Sequence, residues 1–327
     1  MKSSPPSGPP LLDIRGLKTW YPVKKGVFAR TVGHVRAVDG VDLTLARGET
    51  LGIVGESGCG KSTLARTILR LERPREGTIH VNGIDVLRVR GAALRAYRRT
   101  VQVVFQDPHA SLNPRHTVLD ILTEAMLAHG LVTRENREAA AVRLLADVGL
   151  PGDILDRYPH AFSGGQRQRL CIARALALEP QLLICDEAVS ALDLSVRAQV
   201  LNLLEELQDK HGLAYLFITH DIGVVQHIAD RIAVMYLGNI VETGPAQAVL
   251  GEPAHPYTQL LLRAVPQIGV PLPEETGGPS EPPRRRSQTG CPFVPRCPLA
   301  DATCRAATPI LKPLPNEPDH KVACFKA

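Results

Sequence analysis

Three short segments of this chain carry residue types that bind phosphate or activate water. Gly55-Glu56-Ser57-Gly58-Cys59-Gly60-Lys61-Ser62 lies between an apolar run, Leu51 to Val54, and a helical pattern that extends from Lys61 to Leu71. In that setting the Gly-x4-Gly-Lys-Ser spacing reads as a phosphate loop. Its glycines let backbone N–H groups turn toward phosphate oxygens, and the helix start adds partial positive charge. Lys61 would reach the β- and γ-phosphates of a nucleotide, Ser62 would ligate Mg²⁺, and Thr63 would support the α- and β-phosphates. Leu182-Leu183-Ile184-Cys185-Asp186-Glu187 is an apolar strand ending in two carboxylates. Asp186 is placed to hold Mg²⁺ through water. Glu187 points the other way, because side chains alternate along a strand, and could orient or deprotonate an attacking water as general base. Ser163-Gly164-Gly165-Gln166 opens a helix with Ser163 as N-cap, which makes a second anion-binding helix start.

The surrounding pattern supplies the elements that must position these groups. Residues 11–45 alternate apolar and polar positions between Gly and Pro interruptions, which predicts an antiparallel strand layer. Further strands are expected at Leu51–Val54, at Gly77–Gly83 with an Asn82-Gly83 turn, and at Val101–Phe105, Leu182–Cys185, Ala214–Thr219 and Arg231–Tyr236, the last before a Gly238-Asn239 turn. Helices are expected at Leu194–Leu207 and at Thr133–Val148, where Ala140, Val142, Leu144, Leu145 and Val148 form the apolar side. Strands alternating with helices imply an α/β fold with a mostly parallel sheet, interrupted by an inserted helical subdomain at about 107–178.

Composition sets the outer limits. The 327 residues are 44% hydrophobic and 22% charged with a net charge of +5, ordinary for a globular protein. Residues 1–10 are rich in Ser and Pro and hold no apolar stretch, so a disordered N-terminus without a secretory leader is expected. No apolar run is long enough to span a bilayer, so any membrane link must go through a partner. Residues 266–290 are rich in Pro and Gly, hold Arg284-Arg285-Arg286, and read as a linker. The 291–327 segment holds four of the seven cysteines and reads as a small separate extension.

Taken together, these segments resemble the ATPase subunits of ATP-binding-cassette (ABC) transporters over residues 11–265, with the P-loop nucleotide-binding fold, antiparallel β subdomain and helical subdomain of that family. The resemblance implies roles for further residues. Gln106, after Val104-Phe105, matches the glutamine that senses Mg²⁺ and the transmembrane partner. Ser190 and Asp193 lie in Ser190-Ala191-Leu192-Asp193, similar to the loop that lines the subunit interface. His220, after Phe217-Ile218-Thr219, matches the histidine that contacts the γ-phosphate. Tyr21 is the expected adenine-stacking aromatic, with Trp20 and Phe28 as rivals. Mg²⁺ would be held by Ser62, Gln106 and Asp186. In this family two subunits sandwich two ATPs, so Ser163-Gly164-Gly165-Gln166 of one chain would complete the site of another.

Longer runs narrow the resemblance to the oligopeptide/dipeptide (peptide/nickel) importer ATPases, F-type: Val35-Arg36-Ala37-Val38-Asp39-Gly40-Val41, Gln106-Asp107-Pro108 with Ser111-Leu112-Asn113-Pro114, and Thr31-Val32-Gly33-His34. That implies ATP-driven peptide import at the cytoplasmic face of the inner membrane. The implied partners are a paralogous ATPase in a heterodimer, two transmembrane permease subunits and an extracytoplasmic substrate-binding protein. Nickel or another solute is an alternative cargo. A soluble ABC ATPase acting on nucleic acid or ribosomes is a more distant alternative, since the chain has one cassette and only a three-arginine run. Where the family usually has Pro after the catalytic Glu, this chain has Ala188, a change expected to be tolerated because Glu187 is intact.

Cys291, Cys297, Cys304 and Cys324 are spaced x5, x6 and x19. That spacing offers no close Cys-x2–4-Cys pair for zinc and fits no ferredoxin pattern. Spacing alone leaves four structural cysteines. The run Gly290-Cys291-Pro292-Phe293, Pro295-Arg296-Cys297-Pro298, Cys304 and Val322-Ala323-Cys324 is similar to the tail of the peptide-importer ATPases, and that resemblance implies a [4Fe–4S] cluster, with zinc or no metal as alternatives and His320 as a substitute ligand. Cys59, Cys171 and Cys185 read as small apolar core residues.

Overall fold

The computed structural model describes residues 8–26, 29–264 and 289–327. The expectations for the extreme N-terminus, for Phe28 and for most of the 266–290 linker therefore lie outside the described residues. In chain order the strands are β1 (Leu12–Lys25), β2 (Arg30–Leu45), β3 (Thr50–Val54), β4 (Glu76–Val81), β5 (Ile84–Asp85), β6 (Val101–Val104), β7 (Leu182–Asp186), β8 (Ala214–Thr219), β9 (Arg231–Tyr236), β10 (Asn239–Pro245), β11 (Lys312–Leu314) and β12 (Glu317–Val322). The helices are α1 (Lys61–Ile68), α2 (Gly91–Thr100), α3 (Pro108–Ser111), α4 (Val118–Ala128), α5 (Arg137–Asp147), α6 (Gly164–Leu176), α7 (Leu194–His211), α8 (Ile222–Ile228), α9 (Ala246–Gly251), α10 (Pro256–Arg263) and α11 (Ala302–Ala306).

The chain divides into two compact units. The first is built from residues up to Leu12, Thr44–Thr50 and His80–Ile218; the second from Asp13–Leu43, Leu51–Ile79 and the described residues from Thr219 on. In the first unit β6, β7 and β8 run parallel, in registers Val104↔Cys185 and Asp186↔Ile218. Every residue of β7 and β8 is buried, which explains why these strands read as unbroken apolar runs instead of alternating ones. Helices α4, α5 and α6 pack on one another. Tyr215 Oη donates to the Leu204 carbonyl at 2.8 Å and so ties β8 to α7.

In the second unit β3 pairs parallel with β9, β9 antiparallel with β10, and β10 antiparallel with β12. Strands β2, β1 and β4 form a further sheet in that order. The 291–327 segment is therefore not separate. Its strand β12 joins β10 in register Glu242↔Val322, and Phe293 is buried in the core beside Tyr236 and Tyr257. Strands β11 and β12 are short and carry too few apolar residues to stand out in the sequence.

Four further expectations shift. Helix α5 starts at Arg137, because Asn136 takes the N-cap position and its side chain accepts the Thr133 N–H at 2.7 Å. On that helix Val142 is 41% exposed, not on the buried side. Helix α1 stops at Ile68, where Arg70 adopts a left-handed φ of 58°. The β9–β10 turn consists of Leu237 and Gly238, at φ 42° and 85°, with Tyr236 opposite Asn239; both central residues need positive φ in such a two-residue hairpin, and Asn239 already belongs to the strand. The Asn82-Gly83 turn is as expected, with φ of 52° and 74°.

Candidate functional site

The phosphate loop lies in the second unit, between β3 and α1. A Cβ on Gly55 would lie 2.2 Å from the Met235 carbonyl oxygen, and one on Gly60 only 1.9 Å from that of Ala37. Backbone alone fits at these positions, so glycine is required by close approach as well as by conformation. Gly58 has φ 78° in open space. Lys61 is buried, and its ammonium donates to the carbonyls of Gly55 at 2.6 Å and Glu56 at 3.0 Å, across the mouth of the loop. Cys59 packs inward; burial raises its thiol pKa, and its carbonyl accepts the Gly238 N–H at 2.8 Å. Ser62 and Thr63, on the first turn of α1, are half-buried. The Thr63 carbonyl accepts Thr67 Oγ1 at 2.7 Å.

Two residues outside the motif hold this loop. Tyr257, at the start of α10, accepts the Glu56 N–H on its hydroxyl at 2.9 Å. Arg296 donates to both carboxylate oxygens of Glu56. Neither residue belongs to a motif that marks the site in the sequence. The only signal was the Pro295-Arg296-Cys297 run, which pointed to the cysteine and not to the arginine.

Tyr21 is half-buried on β1. Its rival Trp20 is engaged within the chain: the guanidinium groups of Arg36 and Arg75 lie 4.6 and 4.5 Å from its ring centroid, and its indole N–H donates to Asp39 at 3.2 Å. His220 follows β8 at the surface. The next residue, Asp221, caps α8 by accepting the Gly223 N–H at 2.9 Å.

The first unit carries the remaining candidates. The parallel β6–β7 register brings Val104 beside Cys185, so Asp186, the last residue of β7, and Gln106, two residues past β6, lie at neighbouring strand ends. Asp186 is 7% exposed, whereas Gln106 is exposed. Glu187 has a left-handed φ of 53°, unusual for a side chain with a Cβ and typical of strained functional positions. Its N–H donates to the Ile218 carbonyl at 2.9 Å, and its own carbonyl accepts both the N–H and the hydroxyl of Ser190, at 3.1 and 2.9 Å. Asp193 is the exposed N-cap residue of α7.

Ser163 is the N-cap of α6 and forms a capping box with Gln166: Ser163 Oγ accepts the Gln166 N–H at 3.3 Å, and Gln166 Oε1 accepts the Ser163 N–H at 3.0 Å. Ser163, Gly164 and Gln166 are exposed. Gly164 has open space around it, whereas a Cβ on Gly165 would lie 2.5 Å from Val196 Cγ1 on α7. One glycine leaves backbone open to an anion; the other lets two helices approach.

Of the four tail cysteines, Cys304 is buried and Cys291, Cys297 and Cys324 are half-buried. Burial raises the thiols of Cys291 and Cys297, and each is raised further by the neighbouring Cys304 and Cys324. The Cys291 N–H donates to the Cys304 carbonyl at 2.8 Å. Yet among the described residues no group of three or more His, Cys, Asp or Glu side chains is arranged to hold a metal ion. His320 is not a substitute ligand, since its Nε2 pairs with Glu242 at 2.7 Å and its Nδ1 with Glu317 at 3.0 Å. Cys171 and Cys185 are buried with thiols pushed up to about 11 and about 12, consistent with inert core residues.

Comparison with known proteins adds the following. Residues 38–190 match the ABC transporter family, and residues 241–304 match the oligopeptide/dipeptide transporter C-terminal region. The chain is 50% identical over 321 residues to a probable peptide ABC transporter ATP-binding protein, y4tS, of Sinorhizobium fredii, covering 96% of this chain and 89% of that one. It is 48% identical over 324 residues to the oligopeptide transport ATP-binding protein AppF of Bacillus subtilis, covering 96% of each. Among solved structures, the dimeric ATP-binding cassette MJ0796 bound to ADP and Pi is similar at a TM-score of 0.63 and 28% identity, covering 72% of this chain and 98% of that one.

Proposed function

The chain belongs to the ABC transporter ATP-binding proteins of the oligopeptide/dipeptide branch, and from that premise we propose how its residues divide the work of ATP-driven peptide import. It is an ATP-hydrolysing subunit with the P-loop ABC fold. The observation that carries the site reading is the phosphate loop itself, where glycines at two closed positions and a buried lysine on the loop carbonyls leave backbone N–H groups for phosphate.

ATP enters with Mg²⁺. Lys61 leaves the carbonyls of Gly55 and Glu56 for the β- and γ-phosphates, a stronger charge-assisted partner. By the family resemblance Ser62, Gln106 and Asp186 would hold Mg²⁺ when it is bound, and Thr63 would support the α- and β-phosphates. Tyr21 stacks on adenine. Glu187 orients the attacking water and takes its proton, and His220 contacts the γ-phosphate. Ser163, Gly164, Gly165 and Gln166 serve the ATP of a second, paralogous ATPase subunit, with Ser190 and Asp193 beside that interface. The exposure of the α6 start supports this assignment. The partners are that paralogue, two permease subunits and a substrate-binding protein. No helix among the described residues is long and apolar enough to cross a membrane. The likeness to the peptide-importer ATPases supports a peripheral subunit at the cytoplasmic face.

The tail reading is finer. A [4Fe–4S] cluster on Cys291, Cys297, Cys304 and Cys324 has in its favour the likeness of this cysteine-bearing run to the tail of the peptide-importer ATPases, whose C-terminal region matches residues 241–304. Among the described residues these cysteines do not form a metal-holding group; if a cluster binds, they would supply the thiolates that hold its iron. Anaerobic purification with iron and acid-labile sulfide assays tests it: both near four per chain are expected, and absence of both refutes it. The import function is tested by ATP-dependent uptake of labelled peptide into vesicles that hold the assembled transporter. Uptake with this subunit and none without it is expected; uptake of nickel but not peptide contradicts the reading.

A further inference from the structure

The phosphate loop contains one acidic side chain, Glu56, and the C-terminal segment reaches it. Arg296 ends a short 3-10 turn, Val294–Arg296. Its Nη1 donates to Glu56 Oε2 at 2.9 Å and its Nη2 to Glu56 Oε1 at 2.8 Å, the two-pronged geometry of a guanidinium on a carboxylate. The Arg296 side chain is 5% exposed and that of Glu56 23%, so the pair is shielded from the screening that weakens surface ion pairs. The guanidinium carbon lies 5.8 Å from the ring centroid of Phe293, which is itself buried against Tyr236 and Tyr257. Tyr257 in turn accepts the Glu56 N–H. Glu56 is thus gripped at side chain and backbone by residues 240 and 201 positions further along the chain.

The location gives this grip a consequence. The carbonyls of Gly55 and Glu56 are the two that receive the Lys61 ammonium. An uncompensated carboxylate at Glu56 would repel a polyphosphate and compete for that ammonium. We propose that Arg296 is a positioning residue of the nucleotide site: through Glu56 it cancels the loop's negative charge and holds the loop's first turn, so that affinity for ATP depends on the C-terminal segment. This rests on reading Gly55–Thr63 as the ATP site. Tail and loop are then one functional device, and whatever alters the backbone between Cys291 and Cys297 alters ATP binding.

The test is titration of the purified full chain with a fluorescent ATP analogue. Wild type binds and Lys61→Ala does not; if wild type fails to bind, the ATP reading falls and this proposal with it, whereas a wild type that binds no better than Arg296→Ala overturns this proposal alone. Arg296→Ala raises the Kd about tenfold or more, the range for removing one member of a shielded pair. Adding Glu56→Gln to Arg296→Ala recovers most of that loss, because the unpaired charge is gone. Arg296→Lys recovers only part, since one ammonium cannot reproduce two parallel bonds. In the assembled transporter the Arg296→Ala change raises KM for ATP and leaves kcat within about twofold, as expected for lost ground-state binding. If Arg296→Ala does not fold, Arg296→Met keeps the packing against Phe293 and carries the same comparison. Wild-type affinity in the single variant, or a double variant that binds no better than the single, overturns the proposal.

Discussion

Single residues in this chain are held by contacts that the motifs only partly announce. Glu187 owes its left-handed backbone to three hydrogen bonds, from its N–H to Ile218 and from Ser190 to its carbonyl. Those bonds fix the backbone that carries the Glu187 carboxylate. His255 shows a different constraint. It is 1% exposed and its Nδ1 accepts the Tyr257 N–H at 3.0 Å, so only the neutral ring fits. Burial pulls its pKa from 6.5 down to about 4. The unfolded chain therefore binds the proton more readily, and stability is full above about pH 6.5 and declines as pH falls toward 4, by on the order of 3 kcal/mol at the limit. Urea unfolding from pH 7 to 4 should show that decline in wild type and a flatter profile in His255→Asn, which keeps an acceptor for the α10 start. Equal slopes would contradict the assignment.

At the scale of elements, local signals were legible and contacts between distant segments were not. The phosphate loop, the β7 strand with its carboxylates and the Ser163 cap could be read because neighbouring residues decide each of them. The Leu237-Gly238 turn was missed by one position, since nothing local forbids leucine but strand pairing decides which residues turn. Val142 fits an apolar periodicity yet faces water, because the helix presents its buried face to α4 and α6. Glu242 was invisible: it is fully buried in β10, where its carboxylate accepts the N–H groups of Ala254 and His255 at 2.8 and 2.9 Å and meets His320. Helix α6 offers a sharp test. Gly165→Ala drives a methyl toward Val196 Cγ1, and β-branched valine has little freedom to yield. The change should destabilise the chain by about 1–2 kcal/mol, read as a lower urea midpoint, and Val196→Ala should restore it. Failure of the second change to rescue would mean that the clash is not the cause.

At the scale of the whole molecule, the tail changes most against expectation. A segment that reads as a cysteine-bearing appendage contributes strands to the sheet of the second unit, an aromatic to its core and an arginine to its phosphate loop. Sequence could not show this, because Glu56 and Arg296 are 240 positions apart and neither residue type is rare. The exposed Ser163 cap has a matching consequence for assembly. Ser163→Arg should leave ATP binding by the isolated chain within about twofold, yet slow hydrolysis at the partner subunit's site in the assembled transporter, by about tenfold or more if it removes a transition-state contact. Nucleotide trapping that assigns the lost turnover to this chain's own site instead would contradict the shared-site arrangement.

The central claim is that this chain hydrolyses ATP with Glu187 as general base to drive import. The most direct measurement is peptide-stimulated ATP turnover by the reconstituted transporter with wild-type chain and with Glu187→Gln. ATP binding should persist in the variant while its own site turns over about 100-fold or more slowly, the scale of lost general-base catalysis. Turnover at the wild-type rate with Glu187→Gln would contradict the account.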